Sequence, residues 1–177
     1  ARATRGYLAY QRSDYDLAGQ CLADAGRVAE AHGSAALELR SDLVRACAEL
    51  ALGVPGARDR LIALTEEARM QNLDELASTG YSNLTYLDVE QRRLAQAESV
   101  LERSLAITVA RDILICNHWQ TAVRARLRLI EGRWSAALED AAVVLTTTGM
   151  PLAALWPHLI SGLVPLRRGG STGDHLD

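Results

Sequence analysis

Lysine and phenylalanine are missing from this chain of 177 residues, and aromatic residues make up only 5% of it. All 19 basic residues are therefore arginines. Without lysine there can be no phosphate loop of the Walker type, so nucleotide hydrolysis by that route is excluded. Strong charge of either sign is also lacking. A net charge of −3 supplies no basic face for a phosphate backbone, and direct nucleic-acid binding is not expected. The three cysteines, Cys21, Cys47 and Cys116, are odd in number and far apart. They read as buried free thiols of a reducing cytosol. Long hydrophobic runs are scarce. The 26 uncharged residues Ala141–Leu166 exceed the roughly 20 that a spanning helix needs, but Thr146–Gly149 and Pro151 interrupt them. Two shorter buried helices are expected there, and no membrane contact. With neither an initiator Met nor a signal peptide, the chain reads as a piece of a longer cytoplasmic protein.

What is abundant is Ala, Leu, Arg and Glu, all strong helix formers. Leu94, Ala97, Leu101, Ser104, Leu105 and Thr108 are spaced three or four apart, as one helix face requires. Ala57, Leu61, Leu64 and Ala68 repeat the pattern one unit earlier. Breaks at Arg12–Asp14, Gly33, Gly53–Gly56, Gln71–Asn72, Gln91–Arg92, Gly132 and Gly149–Pro151 predict about nine helices and no strand. Asn72 followed by Glu75 has the form of a capping box, and Pro151 suits a first helical turn.

The helices repeat in pairs. Ala18, Ala57, Ala97 and Ala137 come into register at spacings of 39, 40 and 40. Leu22, Leu61 and Leu101 follow four residues later on the same face. A small residue lets paired helices approach, the large one fills the space beside it, and neighbouring pairs must stack to bury what remains. The predicted fold is all-α: a tetratricopeptide-like right-handed superhelix of antiparallel helix pairs. Its repeats run over roughly 1–32, 34–70, 73–110, 112–148 and a truncated 151–170, with a flexible tail at 169–177. The third repeat fits the tetratricopeptide pattern best, through Tyr81, Asn83, Leu84, Ala97 and Leu101.

Ile115–Trp134, "ICNHWQTAVRARLRLIEGRW", is the stretch densest in reactive side chains. Cys116 and His118 diverge by about 200° on a helix and cannot converge on one ion, so no metal site is expected. The buried stripe is predicted as Trp119, Val123, Leu127 and Ile130. That leaves Arg124 and Arg128 on a solvated face paired with acids such as Glu131, and Arg126 as the one able to meet a carboxylate or phosphate. Trp134 is expected in the core, and Trp119 and Trp156 either in the core or in an inner groove. "GGSTG" (Gly169–Gly173) spells a nucleophile elbow but lacks the preceding strand and the later partners. Nothing forms a catalytic constellation, and no cofactor is implied.

At "GYSNLTYLDVEQRRLAQAESVLERSLAI", "LRLIEGRWSAALEDA" and "PLAALWPHLISGLVPLRRG" the chain resembles the helical-repeat arm of large LuxR-type bacterial transcription regulators that carry an ATPase module, similar in layout to the maltose-operon activator. The resemblance covers roughly Gly80 to Gly170, and related repeats also occur in bacterial cyclases and kinases. It implies a sensor arm that binds an inducer or partner protein and passes occupancy to adjacent ATPase and helix-turn-helix domains. Taking the third repeat's register, the concave-face residues expected to bind are Tyr7, Tyr10, Asp42, Glu49, Ser82, Tyr86, Glu90, Trp119 and Arg126. The alternatives are a self-associating structural scaffold forming a homo-oligomer, or the repeat arm of a different signalling protein.

Overall fold

The computed structural model describes residues 1–147 and 151–169, and among them there are nine α-helices and no strand. In chain order they are α1 (Arg2–Gln11), α2 (Tyr15–Ala31), α3 (Ala35–Ala51), α4 (Ala57–Met70), α5 (Asp74–Glu90), α6 (Leu94–Ala110), α7 (Leu114–Ile130), α8 (Trp134–Thr146) and α9 (Pro151–Arg167). The protein is all-α, with helical repeat-like packing of consecutive helices. Of the tail expected at 169–177, residues 170–177, with the serine of "GGSTG", lie outside the described residues.

One turn recurs between the helices. A residue with positive φ stands at positions 13, 33, 53, 72, 92, 112 and 132, every 19 or 20 residues. On either side of it the chain closes a Schellman turn. The N–H of Ser34 donates to Ala29 O at 2.9 Å and that of Gly33 to Glu30 O at 3.0 Å, and the same pair of bonds satisfies the last carbonyls of α1 and of α3 to α7. Glycine takes the left-handed position at 33, 53 and 132, whereas Ser13, Asn72, Arg92 and Asp112 adopt it with φ of 53–61°. This corrects the reading of Asn72 as a helix cap. Its backbone is left-handed at φ 58°, and Ala77 N–H donates instead to Leu73 O, so Asn72 ends α4 and does not start α5. Pro151 does open α9, as its fixed φ favours.

The helices form two compact units, Ala1–Leu87 and Asp88–Asp177. In the first, α1 packs on α2, α2 on α3 and α3 on α4. Close approach depends on missing side chains. A Cβ on Gly6 would stand 2.7 Å from Leu22 Cγ, and one on Gly80 would collide with Thr65. In the second unit α7 is the central element, touched by α6, α8 and α9. The predicted small positions Ala18, Ala57, Ala97 and Ala137 are 0–2% exposed, and Leu22, Leu61 and Leu101 are buried beside them. In the fourth pair the large residue is replaced by Ala141, also buried. Thr65, Thr85, Ser104 and Thr108 lie inside helices and return their hydroxyls to carbonyls three or four residues back, which makes their burial affordable.

Two readings of the sequence need correction here. The stripe on α7 is wider than Trp119, Val123, Leu127 and Ile130. Gln120, Ala122, Ala125 and Leu129 are buried too, while Trp119 and Ile130 are only half-buried, because three helices cover α7 and not one. The uncharged 141–166 segment does divide between two helices, but these are not wholly buried: Val143, Leu152, Leu155 and Leu166 remain exposed. Among the described residues no helix is long and apolar enough to cross a membrane.

Candidate functional site

The nine residues expected on a binding face fall into separate groups. In the first unit, Tyr10 of α1 donates its hydroxyl to Asn83 Oδ1 of α5 at 2.8 Å. Its ring lies 5.8 Å from that of Tyr15, tilted by 50°. Tyr7, Tyr15, Tyr86 and Cys47 are all near enough that charge on them would oppose ionisation of Tyr10. Burial is the larger cause and pushes the Tyr10 phenol above its ordinary range. Four of the chain's five tyrosines therefore gather at one place. Tyr10 is buried, Tyr15 and Tyr86 are half-buried and Tyr7 is exposed, giving a graded path from core to surface. Burial likewise raises the Cys47 thiol well above its usual range, which keeps it protonated and a poor nucleophile.

Asp42 and Glu49, offered by the sequence as concave-face binding residues, are engaged by arginines. Asp42 meets Arg45 NH2 at 2.7 Å, and Glu49 lies 3.9 Å from Arg45 Nε and pairs with Arg60 of α4. Burial, and then the neighbouring charge of Arg45, lower the Arg60 guanidinium below its ordinary range. Ser82 is 6% exposed and so is packed inside the unit and does not line an open surface. An open depression by the N-terminal turns of α3 and α5, bounded by Leu37, Arg40, Leu73, Asp74 and Leu76, contains none of the nine.

In the second unit Arg126 and Glu90 come together as an ion pair. The Arg126 guanidinium also lies over the Trp156 ring, 4.0 Å from its centroid, within range of a cation–π contact. Trp119 packs beside Ala122, Val144 and Ala153. Trp134 and Trp156 pack against the cluster of Ala125, Leu129, Ala137, Ala141, Ile160 and Val164.

The solvated-face reading of Arg124 and Arg128 is overturned. Arg124 Nε and NH2 reach the two carboxylate oxygens of Asp140 at 2.9 and 2.7 Å, and Arg128 NH1 reaches Asp140 Oδ2 at 2.8 Å. Asp140 is only 4% exposed. Its signal was present in the sequence: it falls among Ala137, Ala141 and Val144, on the stripe of α8 that packs inward, opposite two arginines four apart. Glu131 pairs instead with Arg133 at 2.6 Å, and Arg133 also meets Glu98 at 2.7 Å. The Tyr10–Asn83 bond had no such signal, because 73 residues separate its partners.

Among the described residues no group of three or more His, Cys, Asp or Glu side chains could hold a metal ion. Cys21, Cys47 and Cys116 form no disulfide among the described residues, and only Cys47 is buried, Cys21 and Cys116 being half-buried. The arrangement is suited to contact: aromatic hydroxyls graded from core to surface in one unit, and a stacked guanidinium in the other. Compared with family models, with curated proteins and with solved structures, the chain matches none.

Proposed function

We propose that this chain is a non-catalytic, tetratricopeptide-like interaction and sensor module of a cytoplasmic bacterial LuxR-type transcription regulator. In this reading it binds a protein or small-molecule effector and relays occupancy to ATPase and DNA-binding modules that are not among these residues. The observation that carries the binding role is the nearness of Tyr7, Tyr15 and Tyr86 to Tyr10, which is itself bonded to Asn83. Tyrosine presents a large amphipathic surface at low entropic cost, and half-buried and exposed rings beside a buried, hydrogen-bonded one, Tyr10, offer a partly ordered surface to a ligand. The buried Cys47 thiol, held protonated, fits contact better than chemistry. Repeat-like packing of consecutive helices supports the module type, because such stacks can respond to a ligand through small shifts between neighbouring repeats.

The genomic context tests the assignment. A phosphate-loop ATPase encoded before this segment and a helix-turn-helix after it are expected; a cyclase or kinase module in their place rejects the transcription reading. At the site, a thermal-shift screen of small-molecule effectors should find compounds that raise the melting midpoint of the wild type. Near saturation, at about a hundred times Kd, such a ligand stabilises by roughly 2.7 kcal/mol. Tyr7→Ala, at the exposed ring of the group, should leave the unliganded midpoint nearly unchanged and abolish the shift.

A further inference from the structure

Arg124, Arg126 and Arg128 follow one another along α7, yet their partners differ in kind. Arg124 and Arg128 share the buried Asp140, beneath the surface of the α7–α8 pair. Arg126 meets Glu90, whose side chain is 36% exposed while that of Arg126 is 13% exposed. Glu90 is also the last residue of α5, where the partial negative charge of the helix end disfavours a carboxylate. A permanent structural partner would be expected to be buried, as Asp140 is, whereas the side chain of Glu90 is exposed and rests at a helix C-terminus. Trp156, in contrast, holds the guanidinium firmly from its face at 4.0 Å, and face stacking leaves the in-plane N–H donors aimed at whatever lies along the edge. A guanidinium has five such donors and a single carboxylate can take at most two.

We propose that Arg126, stacked on Trp156, is a carboxylate-binding residue that the chain's own Glu90 occupies until an acidic ligand displaces it. The ligand class follows from the occupant: a planar carboxylate already sits at the edge of the guanidinium, so a carboxylate from a small diacid or from an acidic side chain of a peptide fits the same place. Glu90 is tethered and so competes at an effective concentration on the order of millimolar or above, which weakens binding of a free acid and sets a threshold for it. The inference concerns the second unit and does not depend on the tyrosine site of the first.

The test is 19F NMR of the protein labelled with 5-fluorotryptophan, whose three resonances are assigned by single Trp→Phe substitutions. Two probes are titrated separately: glutarate, and an acetylated, amidated Gly-Glu-Gly peptide. In Glu90→Gln the Trp156 resonance should move with an apparent Kd at least fivefold below that of the wild type, and Arg126→Gln should abolish the movement. Response to glutarate alone identifies a small acid as the source, and response to the peptide alone identifies an acidic segment. Equal Kd values in Glu90→Gln and wild type, or no response to either probe in Glu90→Gln, overturn the proposal. Where Arg126→Gln fails to fold, the comparison of Glu90→Gln with wild type still decides it.

Discussion

The two units divide the aromatic residues between them. All five tyrosines, Tyr7, Tyr10, Tyr15, Tyr81 and Tyr86, precede residue 88, and all three tryptophans, Trp119, Trp134 and Trp156, follow it. The polar interiors differ in the same sense. In the first unit the buried or half-buried polar contacts include phenol hydroxyls, Tyr10 to Asn83 and Tyr81 to Glu66 at 2.8 Å. In the second unit carboxylates are buried beneath arginines: Asp88, 0% exposed, meets Arg93 at 2.6 Å, and Asp140, 4% exposed, meets Arg124 and Arg128. Similar helix pairs on a similar period thus weight two methods differently, although Glu49 of the first unit also meets Arg45 and Arg60. A neutral hydroxyl costs little to desolvate and returns little when bonded. A buried carboxylate costs much, and is tolerated only where arginines satisfy it.

The largest expected effect breaks the second method. Asp140→Ala removes the acceptor of two partly buried guanidiniums and should cost about 3 kcal/mol, as loss of one partner from a buried ion cluster does. Urea denaturation measures it, and a loss under about 1 kcal/mol would mean that water already solvates Arg124 and Arg128.

Tyr10→Phe probes the first method and should cost about 1 kcal/mol at neutral pH, the value of one hydrogen bond. Its pH dependence sharpens the contrast. Folding raises Tyr10 from an ordinary value of 10.0 and Cys47 from 9.0. The unfolded chain therefore releases these protons first, and stability present at lower pH is lost as pH rises through 9 and then 10. Each group contributes a slope of about 1.4 kcal/mol per pH unit above its unfolded value. Denaturation followed from pH 7 to 11 should show the variant lacking the Tyr10 part of this fall, so that its deficit against the wild type narrows above pH 10. A constant gap would show that Tyr10 ionises freely in the folded protein.

The smallest effect is one the two units should share. Ser13 in the first and Arg92 in the second both hold φ of 61°, where an L residue is strained and glycine is not. Ser13→Gly and Arg92→Gly should each stabilise by about 0.5 kcal/mol in matched thermal melts. A gain at one site alone would mean that the side chain at the other offsets its own strain.

Much of this architecture was legible in the sequence. The register of Ala18, Ala57, Ala97 and Ala137 placed the buried seams, because a small residue at fixed spacing has meaning only where two helices touch. Tyr7, Tyr10 and Tyr86 were named from the sequence only as candidates for a concave face, and their nearness to one another came from the structure. Arg126 and Glu90 were named separately as face candidates, and that they pair with each other was not part of that reading. The misreadings have a common cause. Arg124, Arg128 and Ile130 were assigned to faces from one helix alone, whereas α7 is covered by three. Asn72 was assigned from a local cap pattern that the turn geometry used otherwise.

Composition and periodicity by themselves determined the all-α class, the near-40-residue period and the positions of the turns, because these follow from local propensity and from which residues recur on one helix face. Only the tertiary structure decided which carboxylate each arginine meets, that Tyr10 finds Asn83, and that Arg126 lies on Trp156. Arg128 and Asp140, Arg124 and Asp140, Arg126 and Trp156, Arg126 and Glu90, and Tyr10 and Asn83 stand 12 to 73 residues apart. The choice among them is made by the desolvation of charge and hydroxyl once helices pack, a cost that no single helix carries in its own sequence.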